Sequence, residues 1–455
     1  MAIQRVAVIG SGVMGGGIAA HVANAGVPVL LLDVVPEGAV DNRNALAEGA
    51  VRRLLKSDPA AFMHERAARL VTPGNLEDDL GRLAGCDWIV EAVVEDPGVK
   101  RRLYERIDAA RRPGSIVSSN TSTLQLAKLI EGLPARFRRD FLITHFFNPP
   151  RYLRLLEVVA GDETRPEAVE AVSAFADHAL GKTVVRAKDT PGFIANRIGG
   201  FWMECALTEA LERGIAVEAA DAVLGRPLGI PKTGVFGLMD LVGIDLLPRV
   251  ARSLAANLSP GDAFHGVHRE HGLVRRMIAD GYTGRKGKGG FYRLNRANGQ
   301  RVKEALDLRT GAYRPAEEPR LGGVEAAAQG GGPRALFESA DAASHYAWSV
   351  MSRTLAYAAS LVPEVADDIV AVDEAMRLGY NWERGPFELI DRLGPAWFAD
   401  RLRRDGLPVP PLLERVGEGA FYRVEDGRLR YLTTDGAYVD VPRRPGVLLL
   451  ADIKL

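Results

Sequence analysis

Two residues in the first half of this chain have the types and surroundings for proton transfer. His145 ends the strand-like run Phe141–Thr144 and is followed by Phe146-Phe147-Asn148-Pro149-Pro150. Glu157 lies inside a second apolar run, Leu155–Val159. A carboxylate within an apolar strand is costly unless it is paired. A turn at Asn148–Pro150 brings Glu157 back towards His145. A neutral imidazole so partnered accepts a proton, while the carboxylate fixes its tautomer and stabilises the imidazolium. By residue type alone, His145 also reads as a satisfied strand-end histidine.

A second group of residues has the pattern of a phosphate cradle. Gly10-Ser11-Gly12-Val13-Met14-Gly15 follows the apolar run Val6–Ile9 and opens the helical pattern Gly15–Ala25. Gly10 permits the tight turn, Gly12 lets the backbone approach a pyrophosphate, and Gly15 allows close packing. The helix N-terminus offers unpaired N–H groups and a partial positive charge. Asp33 lies 18 residues beyond Gly15, at the end of the next strand candidate. A carboxylate there accepts from ribose hydroxyls and repels a 2′-phosphate, which favours NAD over NADP. FAD shares the fingerprint, so the choice between them rests on residues further along the chain. There the polar run Ser119-Asn120-Thr121-Ser122-Thr123-Leu124 stands at a strand end, where ligands bind in such sheets.

These groups need a scaffold, and the sequence supplies one. Val6–Ile9, Val29–Leu32, Trp88–Val90, Ser115–Ser118, Phe141–Thr144, Leu155–Val159 and Thr183–Val185 read as strands, with helical periodicity at Ala39–Leu55 and Lys100–Ala109. That alternation predicts a parallel, doubly wound sheet. The β-rich runs stop near 186–190, and helical patterns such as Phe193–Arg213 and Ala219–Val223 take over. The expected fold is an α/β Rossmann-type domain followed by two related all-helical domains. Its boundaries fall at 1–187, 188–296 (first helical copy), 297–334 (linker), 335–430 (second, degenerate copy) and 431–455 (tail). The duplication is visible in Gly234-Val235-Phe236-Gly237-Leu238-Met239-Asp240 against Gly385-Pro386-Phe387-Glu388-Leu389-Ile390-Asp391. Each copy follows a helix carrying an aspartate, Asp221 or Asp373.

Composition narrows the function classes. Lys plus Arg and Asp plus Glu are both 58, so the basic excess of a nucleic-acid binder is missing. Two cysteines make neither a disulfide framework nor a four-thiolate zinc site, and no metal is expected. No apolar run approaches the ~20 residues of a membrane span, and Met1 leads almost directly into Val6–Ile9 without room for a leader. A cytoplasmic protein without membrane insertion is the expectation.

Taken together, the sequence resembles the L-3-hydroxyacyl-CoA dehydrogenases of fatty-acid β-oxidation. The likeness runs through Val6–Gly17, Val90–Glu95, Ser119–Leu124, His145–Pro149, Glu157–Val159, Asp189–Arg197 and Gly284–Tyr292. The doubled helical region resembles the longer bacterial, bifunctional members. The resemblance implies NAD as cofactor and an acyl-CoA substrate. It implies His145 as the base, Glu157 as its orienting partner, Ser122 beside the substrate hydroxyl, and Asn196 at the reacting carbonyl. It also places Gly10, Gly12, Val13, Met14, Gly15 and Asp33 on the cofactor, with Glu95 and Lys100 at the nicotinamide ribose. Asn148 would lie near the nicotinamide amide and Lys286 near the closed site. Lys100 reads equally as a solvated helix charge. CoA contacts would fall within Glu37–Leu70, where Arg43, Arg52, Arg53 and Lys56 are basic. A related NAD-dependent hydroxyacid or sugar-acid dehydrogenase, and a non-catalytic NAD-binding scaffold, are the competing readings. The second helical copy is expected to act as an internal partner for the first in a monomer, with a homodimer as the alternative. The tail from Val447 resembles the lead-in to an enoyl-CoA hydratase domain.

Overall fold

The computed structural model describes residues 2–296, 301–443 and 446–454; residues 297–300 of the expected linker, and 444–445 and Leu455 of the tail, lie outside the described residues. The chain divides into two compact units, Met1–Phe193 and Ile194–Leu455. Among the described residues no helix is long and apolar enough to cross a membrane.

In the first unit, short β-branched runs become strands because both of their faces are covered. The sheet contains β1 (Val6–Ile9), β2 (Val29–Asp33), β3 (Val71–Asn75), β4 (Trp88–Glu91), β5 (Ile116–Ser119), β6 (Phe141–Phe146), β7 (Leu155–Ala160) and β8 (Thr183–Arg186). Its helices are α1 (Val13–Asn24), α2 (Ala45–Leu54), α3 (Pro97–Ala110), α4 (Leu126–Ile130), α5 (Ala135–Arg139) and α6 (Pro166–His178). The strand order is β3-β2-β1-β4-β5-β6-β7-β8. It reverses between β1 and β4, the switch point at which ligands bind in doubly wound sheets.

All neighbours run parallel except β6 and β7. The link between those two, residues 147–154, is too short for a crossover helix, so the chain must turn straight back. The sequence reading missed β3. Its residues, Val71-Thr72-Pro73-Gly74-Asn75, look like a loop, but β3 is an edge strand, where a proline removes no needed ladder bond.

The second unit is built twice on one plan. The first copy holds α7 (Ala195–Arg213), α8 (Val217–Val223), α9 (Gly234–Val242), α10 (Leu247–Asn257), α11 (Phe264–Val267) and α12 (Gly272–Ala279). It ends in an antiparallel three-stranded sheet of β9 (Tyr292–Asn295), β10 (Val302–Leu306) and β11 (Tyr313–Pro315). Then come α13 (Gly322–Ala326), α14 (Gly332–Glu338), α15 (Ala342–Ser360), α16 (Ile369–Gly379), α17 (Pro386–Leu393), α18 (Pro395–Arg404) and α19 (Pro411–Val416). A second three-stranded sheet comes next, β12 (Tyr422–Glu425), β13 (Arg428–Leu432) and β14 (Tyr438–Asp440), and α20 (Leu450–Ile453) ends the described chain.

The repeated motif is a pair of aspartates, buried at Asp221, Asp240 and Asp373 and half-buried at Asp391. Asp221 accepts from the Phe236 and Gly237 N–H groups (2.7 and 3.1 Å), and Asp373 accepts from those of Phe387 and Glu388 (2.8 and 3.1 Å). Asp240 then accepts from Phe291 and Tyr292, and Asp391 from Phe421 and Tyr422, each at 2.7 and 2.8 Å. Each copy thus pins a helix start to the preceding helix and a sheet to the helix end. Phe236 packs edge-on against Phe291 at 4.7 Å, and Phe387 against Phe421 at 4.9 Å.

The expected linker at 297–334 needs correcting, because its described part carries β10, β11, α13 and the start of α14. Its polar composition misled: this surface sheet is held by side-chain pairs rather than by an apolar run. Arg293 stacks over Tyr313 at 3.9 Å, and Arg314 forms a two-pronged pair with Glu218 at 2.7 and 3.0 Å. Likewise the second sheet spans 422–440, across the expected boundary at 430.

Within this unit α15 covers α7. Phe201 stacks on Tyr357 at 4.1 Å, and Tyr346 donates to the Ala206 carbonyl at 3.0 Å. The buried Arg197 guanidinium is bound by Asp262, by the Tyr357 hydroxyl and by Glu364 (3.0 Å). The aspartate staples also leave no room for side chains at the helix starts. A Cβ on Gly385 would overlap the Asp373 backbone and side chain, as one on Gly234 would overlap Asp221. Gly385→Ala should therefore cost the second unit about 1–3 kcal/mol or more by overpacking. Calorimetry should show its transition moving down; an unchanged melting temperature would mean that the staple has slack.

Candidate active site

The antiparallel return of β7 places Glu157 directly opposite His145 in the β6–β7 ladder. His145 Nδ1 lies 2.7 Å from Glu157 Oε2, with both side chains almost wholly buried. An ionised carboxylate accepts only, so Nδ1 carries the proton and Nε2 is left with the basic lone pair. Phe147 and Phe193 flank the imidazole, at 4.5 and 5.7 Å between ring centres. Asn120, just beyond β5, accepts from the Phe146 N–H at 2.9 Å and ties the polar run 119–124 to the histidine's strand.

In the same sheet lies an ionic network that joins Lys100 and Glu95 to Glu91, a residue the sequence reading did not single out. Glu91, at the end of β4 and fully buried, meets the Lys100 ammonium at 2.6 Å. The Tyr104 and Ser119 hydroxyls, each at 2.7 Å, and the Val93 N–H, also at 2.7 Å, complete its shell. Lys100 also reaches Glu95 at 3.3 Å. Glu95 accepts from the Thr121 hydroxyl and from the Ser122 N–H (3.2 Å). Burial alone would raise the Glu95 carboxyl, but the Lys100 charge and these donors outweigh it and hold it below the usual range. Lys100 is thus no solvated helix charge: its side chain is 1% exposed. Glu91 carried the same signal as Glu157, a carboxylate closing an apolar run.

The glycine loop has the shape a dinucleotide needs. Gly10 has φ +98°, and a Cβ there would come within 2.5 Å of the Ala92 carbonyl oxygen. A Cβ on Gly15 would overlap the Gly10 carbonyl, so the turn and helix close on each other. At Gly12 a Cβ would meet nothing within 4 Å, which leaves the open backbone against which a pyrophosphate packs. Gly12 caps α1 without a side chain, so the first-turn N–H groups have no side-chain acceptor at the cap. Val13 beside it is 73% exposed, and Met14 is half-buried. Asp33, at the end of β2, accepts from the Ser11 N–H (2.6 Å), the Ser11 hydroxyl (2.5 Å) and the Val34 N–H (2.7 Å). The carboxylate is thereby fixed at the lip of the loop, as ribose recognition requires. These residues fit NAD.

Residues 5–190 match the NAD-binding domain of 3-hydroxyacyl-CoA dehydrogenases, and residues 192–294 match the C-terminal domain of the same family. A Deinococcus radiodurans protein named "Probable 3-hydroxyacyl-CoA dehydrogenase" is 43% identical over 293 residues, covering 64% of this chain and 83% of that one. The chain belongs to the 3-hydroxyacyl-CoA dehydrogenase family. A Bacillus subtilis protein of the same name is 40% identical over 449 residues, 94% of this chain and 56% of that protein. The chain spans a little over half the length of the first curated relatives it matches. The crystal structure of an Escherichia coli 3-hydroxybutyryl-CoA dehydrogenase shares the fold, with TM-score 0.66 and 23% identity over 91% of this chain and 98% of that one.

The family-matched residues are distributed over both units. Ser122 and Asn148 lie in loops of the first unit; Ser122 is half-buried with no hydroxyl partner among the described residues, and Asn148 is exposed. Asn196 and Lys286 belong to the second unit, Asn196 in the first turn of α7 and Lys286 paired with Asp245 at 2.7 Å.

Two outcomes test this description. Lys100→Met strands the buried Glu91 charge and should lower stability by about 3–5 kcal/mol, with Glu91→Gln added to it restoring part of the loss. Denaturant titration reads both, and an unaltered Lys100→Met midpoint contradicts the network. Asp33 should make NADH at least about ten-fold better than NADPH in kcat/KM, by repelling a 2′-phosphate. Equal use of the two would show that Asp33 does not face the ribose.

Proposed function

We propose that the chain oxidises (S)-3-hydroxyacyl-CoA to 3-oxoacyl-CoA, the dehydrogenation step of fatty-acid β-oxidation. The observation that carries this reading is the buried His145–Glu157 pair, 2.7 Å apart, in a family member with an intact dinucleotide loop. Bound NAD supplies the hydride acceptor. His145 Nε2 takes the proton of the 3-hydroxyl, and Glu157 stabilises the imidazolium that results. Run in reverse, the same histidine returns the proton to the 3-oxygen.

Ser122 presents its hydroxyl to the 3-oxygen, and the Asn196 amide supports the charge that develops there. Glu95 takes the nicotinamide ribose, with Lys100 acting through it, and Asn148 takes the nicotinamide amide. Lys286 would exchange its Asp245 pairing for an anionic part of the ligand. Of the four basic residues in the CoA region, Arg43 is held by Asp78 at 2.7 and 2.9 Å and Arg52 by Glu48 at 3.4 Å. Arg53 and Lys56, which have no carboxylate partner among the described residues, are therefore the ones assigned to CoA phosphate.

The test is NADH oxidation with acetoacetyl-CoA set against free acetoacetate. Preference for the thioester supports the proposal; preference for the free acid favours the hydroxyacid dehydrogenase reading. His145→Ala should lower kcat by at least about 100-fold with NADH binding nearly unchanged. A variant that kept a large part of wild-type kcat would remove His145 from proton transfer.

A further inference from the structure

Lys182 has none of the roles assigned above, yet the residue is only 3% exposed and its ammonium lies against the hairpin of His145 and Glu157. It sits in the link between α6 and β8, where its backbone N–H donates to the Ala176 carbonyl at 2.9 Å. Its Nζ donates to two carbonyl oxygens, those of Pro150 and of Leu153 (2.6 Å), and lies 5.8 Å from the centre of the Phe146 ring. Pro150 and Leu153 belong to the turn 147–154, which joins the strand of His145 to the strand of Glu157. The turn is held elsewhere too: Arg151 donates to the Ala60 and Phe62 carbonyls (2.6 and 3.1 Å) and the Tyr152 hydroxyl to that of Ala60 (3.0 Å). A Cβ on Gly17 of α1 would come within 3.0 Å of the Pro150 ring, so the turn rests on the nucleotide helix. The Thr183 N–H donates to the Arg154 carbonyl at 2.8 Å, next to Lys182 in sequence.

Lysine is among the residues least often fully buried, because removing an ammonium from water is costly without a compensating anion. No carboxylate pairs with Lys182 among the described residues. Its surroundings are carbonyl oxygens, an aromatic face, and two further basic groups, His21 of α1 and Arg151 of the turn. We propose that Lys182 is a positioning residue for proton transfer. Its ammonium holds the 147–154 turn so that His145 and Glu157 stay opposite each other and Asn148 keeps its place at the sheet edge. The proposal rests on the dehydrogenase reading above.

Geometry makes the charge matter. Hydrogen bonds from a charged donor are roughly twice as strong as those from a neutral one. Burial brings the Lys182 amine down to about 8, within reach of ordinary assay conditions. Burial, with the Lys182 and Arg151 charges adding to it, lowers His21 to about 4, so His21 is neutral there and does not titrate in the same range. Above about pH 8 the amine loses its proton, and the turn keeps only weaker donors. Oxidation of (S)-3-hydroxybutyryl-CoA should therefore fall as Lys182 loses its proton.

The experiment compares wild type, Lys182→Met and Lys182→Arg as full chains, following kcat against pH in the oxidation direction. Lys182→Met should lose kcat by about ten- to a hundred-fold through misplacement of the pair, with KM for NAD changed far less. Lys182→Arg should recover much of that loss and carry the alkaline fall beyond the range of the assay, since a guanidinium stays charged. A wild-type profile without an alkaline fall, or an Arg variant with the fall still near pH 8, would overturn the proposal, as would a Met variant with wild-type kcat. Should the Met variant fail to fold, the Arg profile decides alone. Nitrogen NMR of the His145 imidazole in the enzyme without substrate gives a readout free of turnover. Unchanged imidazole signals in the Met variant would overturn the positioning role. A wild type inactive towards hydroxyacyl-CoA would instead overturn the functional reading and leave the NMR result standing.

Discussion

A carboxylate with no exposed surface must be matched on the spot, and Glu157 meets the His145 ring nitrogen across one strand pair. Most of the first unit derives from that requirement. The two strands must run in opposite directions with His145 and Glu157 in register, and the connection between them must be short. β7 must also be covered on its far side, which β8 does by pairing parallel to it, with Glu157 opposite Val185. The sheet therefore extends two strands past the point at which a purely parallel one would end. Glu91 repeats the device two strands nearer β1 and the nucleotide loop, where an ammonium and two hydroxyls take the place of the imidazole.

The second unit solves a different problem by similar means. Apart from α7 and α15 its helices are short, and their packing alone leaves many end groups unpaired. Buried aspartates accept those N–H groups in pairs, at Phe236 and Gly237 and again at Phe387 and Glu388. The copies keep this internal fastening while their outer faces differ. Asn196 and Arg197 open α7, whereas α15 opens on Ala342 and Ala343 behind an Asp341 cap.

Much of this was legible in the sequence, for a physical reason. Strands buried on both faces must be written as unbroken apolar runs, so β1, β2, β4 and β6 are visible at once. A polar residue inside such a run, as at Glu157, signals that a partner exists. The glycine loop is legible because each glycine answers a separate steric demand. What escaped was whatever depends on neighbours remote in sequence. β3 contains proline and glycine because an edge tolerates them, and β10 and β11 are held by Arg293 stacking and by the Arg314–Glu218 pair. Lys182 comes directly after a glycine at a helix end and looks like any surface lysine; only the fold closes it over the Pro150 turn. The alternative reading of Lys100 as a solvated charge fails for the same reason, since its burial is set by β4 and the polar run after β5.

The cover that α15 lays over α7 has a consequence for how this chain can change. In a two-fold dimer a surface meets its own image, so every substitution is made twice and each contact must suit both partners. The α7–α15 seam is under no such constraint. Arg197 faces Tyr357, Asp262 and Glu364, and no mirror-image set of contacts has to exist. Each side of the seam mutates independently. One helix can keep its sequence while the other drifts towards whatever shape packs against it best. The contact is a directional one, made between two different stretches of a single chain.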